Sequence, residues 1–249
     1  MRVMELETIL NNQLNTSLYR DYAPNGLQVA GRADVYRIVT GVTACQQLLD
    51  KAVELNADAV LVHHGYFWKN EPLTLTGIKQ RRIKTLLTHD INLLAYHLPL
   101  DGHATLGNNA QIAQLLNIDM YPRTVETDLL FQGELKKPTS AQRFKQQLEQ
   151  QFNRSVLHIG DNAPSVIKTI AWVSGGGQDY LEQAAQLGFD AFLTGEVSER
   201  TTHIAREYGI HFFAAGHHAT ERYGIKALGE WLAQQYALSV TFVDIDNPV

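Results

Sequence analysis

Residues 46–65 read QQLLDKAVELNADAVLVHHG, and this stretch decides the fold class. Its first ten residues repeat apolar side chains at helical spacing, whereas the run from Asp58 to Val62 is short, apolar and typical of a strand. The pattern predicts one strand before this stretch, from Arg37 to Gly41, and another after it, from Ile91 to Tyr96. Strands that alternate with helices of about ten residues predict βαβ units and a mainly parallel sheet.

The same alternation returns in the second half of the chain. The predicted helices there are 141–152, 179–187, 199–208 and 220–236, and the predicted strands are 167–173, 191–194, 210–215 and 239–243. Residues 121–140 interrupt the rhythm and contain Pro122 and Pro138. We therefore predict a first α/β domain over residues 1–125 and a second over residues 126–249, with a C-terminal strand that joins either sheet.

The two halves of the chain are similar in sequence. Ile38–His64 lies over Ile170–Glu196 without a gap, and eight of these twenty-seven positions are identical. The strand at 91–95 also corresponds to the strand at 210–214. We interpret this as two similar α/β domains that face each other across a cleft. The alternative is one continuous sheet whose βαβ units share composition by coincidence.

The composition excludes several classes of protein. Hydrophobic residues are 45% and charged residues 19%, as in ordinary globular proteins, and no run approaches the eighteen apolar residues of a membrane helix. A net charge of −5 without a lysine or arginine cluster argues against bulk binding to nucleic acid or acidic membranes. Cys45, the only cysteine, rules out an internal disulfide and a cysteine-based zinc site, and predicts a cytoplasmic protein.

Polar residues gather where the predicted strands end, which is where ligands bind in parallel sheets. These residues are His63, His64, His97, Asp101, Glu196, His217, His218 and Glu221. Imidazole and carboxylate groups without thiolates suit zinc, iron, manganese or nickel. The sequence therefore predicts a metal site at the strand ends. The alternative for each histidine alone is a hydrogen-bonded structural residue, and the other five histidines are assigned to that class.

The spacing within this set favours two metal ions. His217 and Glu221 are four residues apart, so on a helix start they point to the same side. The carboxylate of Glu221 can bridge two cations, which holds them about 3.5–4 Å apart. His63 and His64 are adjacent and cannot share a strand face, so each can serve a different metal. The role of His218 stays open, because its neighbour His217 would already be the ligand.

Two further motifs have alternative interpretations. Ser174–Gly177 follows a strand and opens a helix, so it is either a phosphate cradle or a tight βα turn, and it lacks the Walker lysine. A plain nucleotide-binding module would rest on this glycine run and the fold class alone. Tyr66, Phe67 and Trp68 follow the histidine pair and could stack a flat substrate ring. Their alternative is a loop that packs on the core or contacts another subunit.

Together these motifs resemble a known family. Leu61–Gly65, Tyr96–Asp101 and Ala215–Glu221 are similar to signatures of the GTP cyclohydrolase 1 type 2 homologs, the Nif-three-like family. Asn25–Val29 and Thr194–Glu196 also resemble family motifs. The resemblance runs from about residue 5 to Pro248 and is closest to the short bacterial members, which lack a large inserted domain.

The resemblance implies a two-domain α/β fold, a dinuclear metal centre in the cleft and a ring-shaped homohexamer. It implies that His64, Asp101 and Glu221 hold one metal, and that His63, His217 and Glu221 hold the other. It places His97 at the site as a ligand or a neighbour of the ligands. The activity in the family name does not extend securely to all members.

Two classes of function fit this donor set. The first is a metal-dependent hydrolase, cyclohydrolase-like, that acts on a nucleotide-like or pterin-like ring, with Glu196 or His97 as proton shuttle. The second is a non-enzymatic metal-trafficking protein or a ring-shaped scaffold. The ligands are the same in both, so the sequence leaves open whether the protein is an enzyme, which small molecule it takes and which metal is native.

Overall fold

A computed structural model describes residues 1–249, which form two compact units. Unit 1 comprises Met1–Gly107 and Gly224–Asp246, and unit 2 comprises Asn108–Tyr223 and Asn247–Val249. No helix in either unit has the length and apolar character needed to cross a membrane.

Helices and strands alternate along most of the chain. The helices are α1 (Val3–Gln13), α2 (Gln46–Glu54), α3 (Gly77–Thr88), α4 (Leu98–Gly102), α5 (Asn108–Leu116), α6 (Ala141–Phe152), α7 (Leu181–Gln186), α8 (Glu199–Tyr208) and α9 (His217–Gln235). The strands are β1 (Gly26–Val29), β2 (Arg37–Thr43), β3 (Ala59–His64), β4 (Asn92–Ala95), β5 (Ile118–Met120), β6 (Phe131–Thr139), β7 (Leu157–Ile159), β8 (Ile167–Trp172), β9 (Ala191–Thr194), β10 (His211–Ala214) and β11 (Ser239–Phe242). Short 3₁₀ turns occupy Thr16–Leu18 and Gln178–Tyr180.

Unit 1 is a five-stranded sheet with apolar clusters on both faces. The strand order is β1-β4-β3-β2-β11, and every pairing is parallel except the antiparallel edge β1–β4. On one face, Leu6 and Leu10 of α1 cluster with Leu228 and other buried residues of α9. On the other face, α2 and α3 supply the buried side chains. Side chains from alternate positions of the strands enter the two clusters, as a sheet covered on both faces requires.

Unit 2 is a six-stranded mixed sheet, also with an apolar cluster on each face. The order is β5-β6-β8-β9-β10-β7. The central strands β8, β9 and β10 run parallel, whereas β5–β6, β6–β8 and β10–β7 pair antiparallel. The sequence predicted a mainly parallel sheet here, and the difference comes from the three strands that lie outside the βαβ units. α5 and α6 contribute to one cluster, and α7 and α8 to the other.

The division between the units falls after Gly107, ahead of the predicted domain boundary at residue 125. The reason is that α5 packs its Ala110, Ile112 and Leu116 into the core of unit 2. The C-terminal strand β11 pairs with β2 and so belongs to unit 1. The chain reaches it through α9, whose first residues belong to unit 2 and whose remainder belongs to unit 1.

The sequence repeat has a counterpart in the hydrogen bonds of the two sheets. Strands β2, β3 and β4 run parallel in unit 1, as β8, β9 and β10 do in unit 2. A carboxylate oxygen of Asp58 accepts the N–H groups of Tyr36 and Arg37 at 2.9 and 2.8 Å. The repeat-equivalent Asp190 accepts those of Lys168 and Thr169 at 2.9 and 2.8 Å. The two halves therefore share their strand topology. They also share an aspartate that accepts backbone N–H groups at the start of the first parallel strand.

Candidate metal centre

Three histidines meet at the ends of neighbouring strands in unit 1. His63 and His64 are the last two residues of β3, and His97 follows β4. Their ring centroids are 4.5–5.7 Å apart, and each ring offers a nitrogen within 4.8 Å of the others. The parallel pairing of β3 with β4 brings these two strand ends together. The structure thus groups the unit 1 histidines as the strand-end argument predicted, although β3 extends two residues further than expected.

The neutral form of His63 has a tautomer fixed by its surroundings. The side chain is fully buried, and its Nδ1–H donates to the carbonyl of Tyr96 at 2.9 Å. The lone pair of the neutral ring then lies on Nε2, 3.5 Å from a carboxylate oxygen of the buried Asp101. Two electron-pair donors this close are stabilised by a cation shared between them. This part of the donor set fits a divalent metal.

His97 is held by two residues to which the sequence analysis assigned no role. Asp21, whose side chain is 3% exposed, accepts the Nδ1–H of His97 at 2.7 Å and the backbone N–H of Leu98 at 2.9 Å. Asn25 accepts the backbone N–H of His97 at 2.8 Å and donates to Asp21 at 2.9 Å. Burial raises the pKa of Asp21, but the hydrogen bonds and charge of His97 outweigh it, so the pKa lies below its usual value. His97 therefore presents Nε2 as its basic atom.

The unit 2 residues of the predicted set meet at the start of α9. His217 lies between two carboxylates, with Nδ1 2.7 Å from Glu196 and Nε2 3.1 Å from Glu221. Glu221 is buried, whereas Glu196 and His217 are partly open to solvent. The helical spacing predicted the contact between His217 and Glu221. The contact of His217 with Glu196 joins α9 to the loop after β9.

The two carboxylates decide the protonation of His217. Burial lowers the pKa of this imidazole, but hydrogen bonds and charge from Glu221 and Glu196 outweigh burial and raise the pKa to about 9. The metal-free ring is therefore charged at neutral pH. A divalent cation would have to replace the proton on Nε2, so metal binding here is coupled to proton release.

The glycine turn supports Glu221 and does not expose a row of N–H groups. The N–H groups of Ser174, Gly175 and Gly177 donate to the side chains of Asn109, Thr220 and Thr194. Gly175 has φ +62°, and a β-carbon there would overlap Glu221 Oε1 and lie 3.1 Å from His217 Nε2. These bonds favour the tight turn over the phosphate cradle. Gly175 lies in the glycine motif noted in the sequence, but its contact with Glu221 was not predicted.

The remaining histidines are placed in several settings. His218 is buried, and its backbone N–H donates to the carbonyl of Val249 at 3.1 Å. His158 and His211 bond to each other in unit 2. His89 and His203 are exposed, and His103 is partly exposed in unit 1.

Comparisons with known proteins agree with the family resemblance. The model of the Duf34/NIF3 (NGG1p interacting factor 3) family matches residues 1–248. A Yersinia pestis protein named GTP cyclohydrolase 1 type 2 homolog is 64% identical over the full length of both chains. Its namesake from Escherichia coli K12 is 54% identical, also over both full lengths.

Solved structures share the fold. One, titled protein ybgI of unknown function, is 54% identical and superposes with a TM-score of 0.98 over all of both chains. Another, TTHA1606 from Thermus thermophilus, is 32% identical with a TM-score of 0.90, again over all of both chains. These likenesses establish the mixed α/β fold with two sheets.

Proposed function

The chain belongs to the Duf34/NIF3 family, and from that premise we propose that it is a dinuclear, metal-dependent hydrolase. Its substrate would be a nucleotide-like or pterin-like ring, as the cyclohydrolase names of its relatives favour. The observation that carries the proposal is the buried pair of electron-pair donors, His63 Nε2 and Asp101, within a cluster of three histidines.

The proposed ligands are those that the family resemblance implies. His64 and Asp101 of unit 1 would hold one ion with Glu221. His63 would hold the other with His217 and Glu221, so that Glu221 bridges the two. Nitrogen and oxygen donors of this kind suit zinc, iron, manganese or nickel. Two such ions supply water activation and polarisation of the attacked C=N or C=O bond when bound.

The roles of the two proposed proton carriers differ. His97 has its Nδ1–H fixed by Asp21, so its Nε2 can accept a proton from the reacting water and later donate it. Glu196 hydrogen-bonds His217 at 2.7 Å and so orients that ligand. We therefore assign proton transfer first to His97 and orientation of His217 to Glu196.

Elemental mass spectrometry on untagged protein purified without chelator tests the metal pair. We expect about two equivalents of metal per chain in the purified protein. After chelation and reloading with one metal at a time, we again expect about two equivalents of that metal. Because Glu221 would bridge, Glu221→Ala should lose both equivalents, whereas His64→Ala should lose one. His203→Ala, at an exposed histidine, is the matched control and should keep both. A content near zero after every reloading would contradict the site.

Hydrolysis is tested separately with GTP as the first substrate probe. We expect ring opening in the metal-loaded protein, loss of turnover on chelation, and recovery on reloading. Turnover that survives complete removal of metal would overturn the hydrolase proposal while leaving the metal site standing.

One observation favours metal trafficking as a second candidate function. The side chains of His217 and Glu196 are 30% and 37% exposed, so two of the unit 2 groups are open to a competing ligand. A carrier would release its metals to a mild chelator within minutes, whereas a catalytic pair would largely stay. Exchange kinetics on the as-purified protein decide between the two.

A further inference from the structure

An open cavity of about 700 Å³ lies in unit 1 beside the histidine cluster. It is lined by Tyr22, Trp68, Lys69, Asn70, Glu71 and Pro72. We propose that this cavity, the aromatic slot, seats a planar heteroaromatic ring that carries an anionic substituent. The inference rests on the proposed function, because it assigns the substrate's ring to a place at the same site.

The slot borders the residues to which chemistry is assigned. The ring of Trp68 lies edge-on to His97 with centroids 4.9 Å apart, and its centroid is 5.9 Å from that of His64. The ring of Tyr22 lies 6.4 Å from His97. A ring stacked on Trp68 or Tyr22 would therefore lie next to side chains that themselves contact the imidazole that we assign to proton transfer. The volume is within the range of small-molecule sites.

The loop that carries Trp68 is firmly fixed. The carboxylate of Glu71 accepts the N–H groups of Phe67 and Trp68 at 3.0 and 3.3 Å and the ammonium of Lys79 at 3.0 Å. The N–H of Lys69 donates to the carbonyl of Tyr22 at 2.7 Å. These bonds tie the two walls of the slot together, so the slot is formed before any ligand arrives.

The same loop contains an unfavourable backbone conformation. Phe67 has φ +65°, a left-handed value that is rare for a bulky residue. The Lys79 ammonium lies 5.0 Å from the centre of the Phe67 ring and helps to hold it. Strain of this kind persists where the surrounding structure enforces it, and it is concentrated at ligand sites. Here it fixes the residue immediately before Trp68.

The lining chemistry selects the class of ligand. Tyr22 is 61% exposed and Trp68 is partly exposed, so aromatic surface is available for stacking on a planar ring. Lys69 and Asn70 are exposed at the slot and can meet an anionic substituent and a polar ring edge. Tyr66 takes no part, since it is buried and its hydroxyl donates to the Ala44 carbonyl. A purine or pterin bearing phosphate satisfies all of these groups.

Isothermal titration calorimetry with guanosine, GTP and ribose 5-phosphate tests the slot, on as-purified and on metal-free protein. We expect guanosine and GTP to bind and ribose 5-phosphate to bind far more weakly. Trp68→Leu and Tyr22→Leu should each weaken guanosine binding about 5- to 100-fold, the range for loss of one stacking partner. Lys69→Ala should weaken GTP and leave guanosine unchanged.

Tyr36→Leu is the matched control, because Tyr36 is also 61% exposed in unit 1 but does not line the slot. It should bind guanosine as wild type does. Absence of guanosine and GTP binding to wild type at millimolar concentration overturns the slot. Unchanged guanosine affinity in both Trp68→Leu and Tyr22→Leu also overturns it. This includes the case where sedimentation of these two variants shows that the aromatic residues join copies of the chain.

The outcomes separate the slot from the proposed function. The slot alone is refuted if the protein holds two metals and opens the GTP ring, and if Trp68→Leu and Tyr22→Leu lose neither guanosine affinity nor turnover. A protein that binds guanosine through Trp68 and Tyr22 but does not hydrolyse GTP refutes the hydrolase alone.

Discussion

Asp21 and His97 show how one buried carboxylate sets the chemistry of an imidazole. Asp21 can only accept, so it fixes the proton of neutral His97 on Nδ1 and leaves Nε2 basic. We expect Asp21→Asn to fold but to populate both neutral tautomers of His97. Nitrogen-15 NMR of the imidazole would resolve them, and turnover should fall about 10- to 100-fold, as is typical when an orienting partner is lost.

Asp34→Asn is the control for that substitution, because Asp34 is an exposed carboxylate of the same unit. Its His97 spectrum should match wild type. A single, unchanged His97 tautomer in Asp21→Asn would show that Asp21 does not set the position of the proton.

Gly175 offers a second test at the scale of one residue. Gly175→Ala adds a β-carbon at φ +62° that overlaps Glu221, so we expect lower stability and weaker metal binding. Gly188→Ala is the matched control, since Gly188 has φ +81° with no atom within 4 Å of the added β-carbon. Backbone strain alone should cost the control about 1–2 kcal/mol in urea unfolding and leave its metal content unchanged. Equal metal content in both variants would contradict a role for Gly175 in placing Glu221.

The sequence predicted the groups at the strand ends but not their partners. His63, His64 and His217 could be selected because each directly follows or ends an apolar run. Asp21 lies 76 residues before His97 in an unremarkable loop, and no local pattern joins the two. Gly175 lies in a motif that was noticed, but its contact with Glu221 appears only when β8 and α9 are packed.

At the scale of elements, local signals explain which bounds could be predicted. Helix α6 begins where expected because Ser140 caps it, with its hydroxyl accepting the N–H of Arg143. Helix α8 begins at a capping box formed by Ser198 and Thr201 and ends at Gly209 in the left-handed conformation. The three-residue strands β5 and β7 escaped prediction because they are too short to show a period of their own. Antiparallel pairing defines them, β5 with the next strand β6 and β7 with the more distant β10.

The pairing of β7 with β10 predicts a pH effect on stability. His158 of β7 donates from Nε2 to Nδ1 of His211 in β10 at 3.0 Å, and His211 donates to the Pro164 carbonyl at 2.7 Å. Burial, then the charges of His211 and Lys145, lower the pKa of His158 despite the nearby Asp161. The unfolded chain therefore takes up this proton first as pH falls below about 6.5.

The sign follows from that order of protonation. The contribution of His158 to stability is complete above pH 6.5 and is lost as pH falls toward its folded pKa, with a slope of at most about 1.4 kcal/mol per pH unit. Urea unfolding between pH 7.5 and 5 measures it. His158→Gln should show a shallower loss than wild type. An equal pH dependence in both proteins would exclude His158 as the source.

At the scale of the whole molecule, we propose the homohexameric ring that the family resemblance implies. Leu73, Leu75 and Ile78 support an assembly, because they are exposed close together in sequence and Leu73 is 96% exposed. Sedimentation equilibrium should give six times the chain mass of 27.9 kDa. Leu73→Ser with Leu75→Ser should lower the assembled fraction, whereas Leu157→Ser, at an exposed leucine of unit 2, is the comparison. A mass of one chain at micromolar concentration would refute the assembly.

The overall α/β architecture was predictable because periodicity reports the βαβ units directly. The division of the chain into two units was less predictable, since α5 follows unit 1 in sequence but packs in unit 2. Similarly, β11 is the last strand of the chain but pairs with β2. An element belongs to the unit whose sheet it is buried against. The order of elements along the chain does not give that information.

The matching caps made by Asp58 and Asp190 bear on how this protein arose. Two carboxylates with the same task at equivalent positions are what the duplication of one gene segment would leave. His64 and Glu196 occupy equivalent positions in the repeat as well, so under such a duplication they would descend from one residue. One copy of that position would then have become a carboxylate and the other an imidazole. Ancestral reconstruction should therefore keep both aspartates back to the common segment and reach a single residue there at the position of His64 and Glu196.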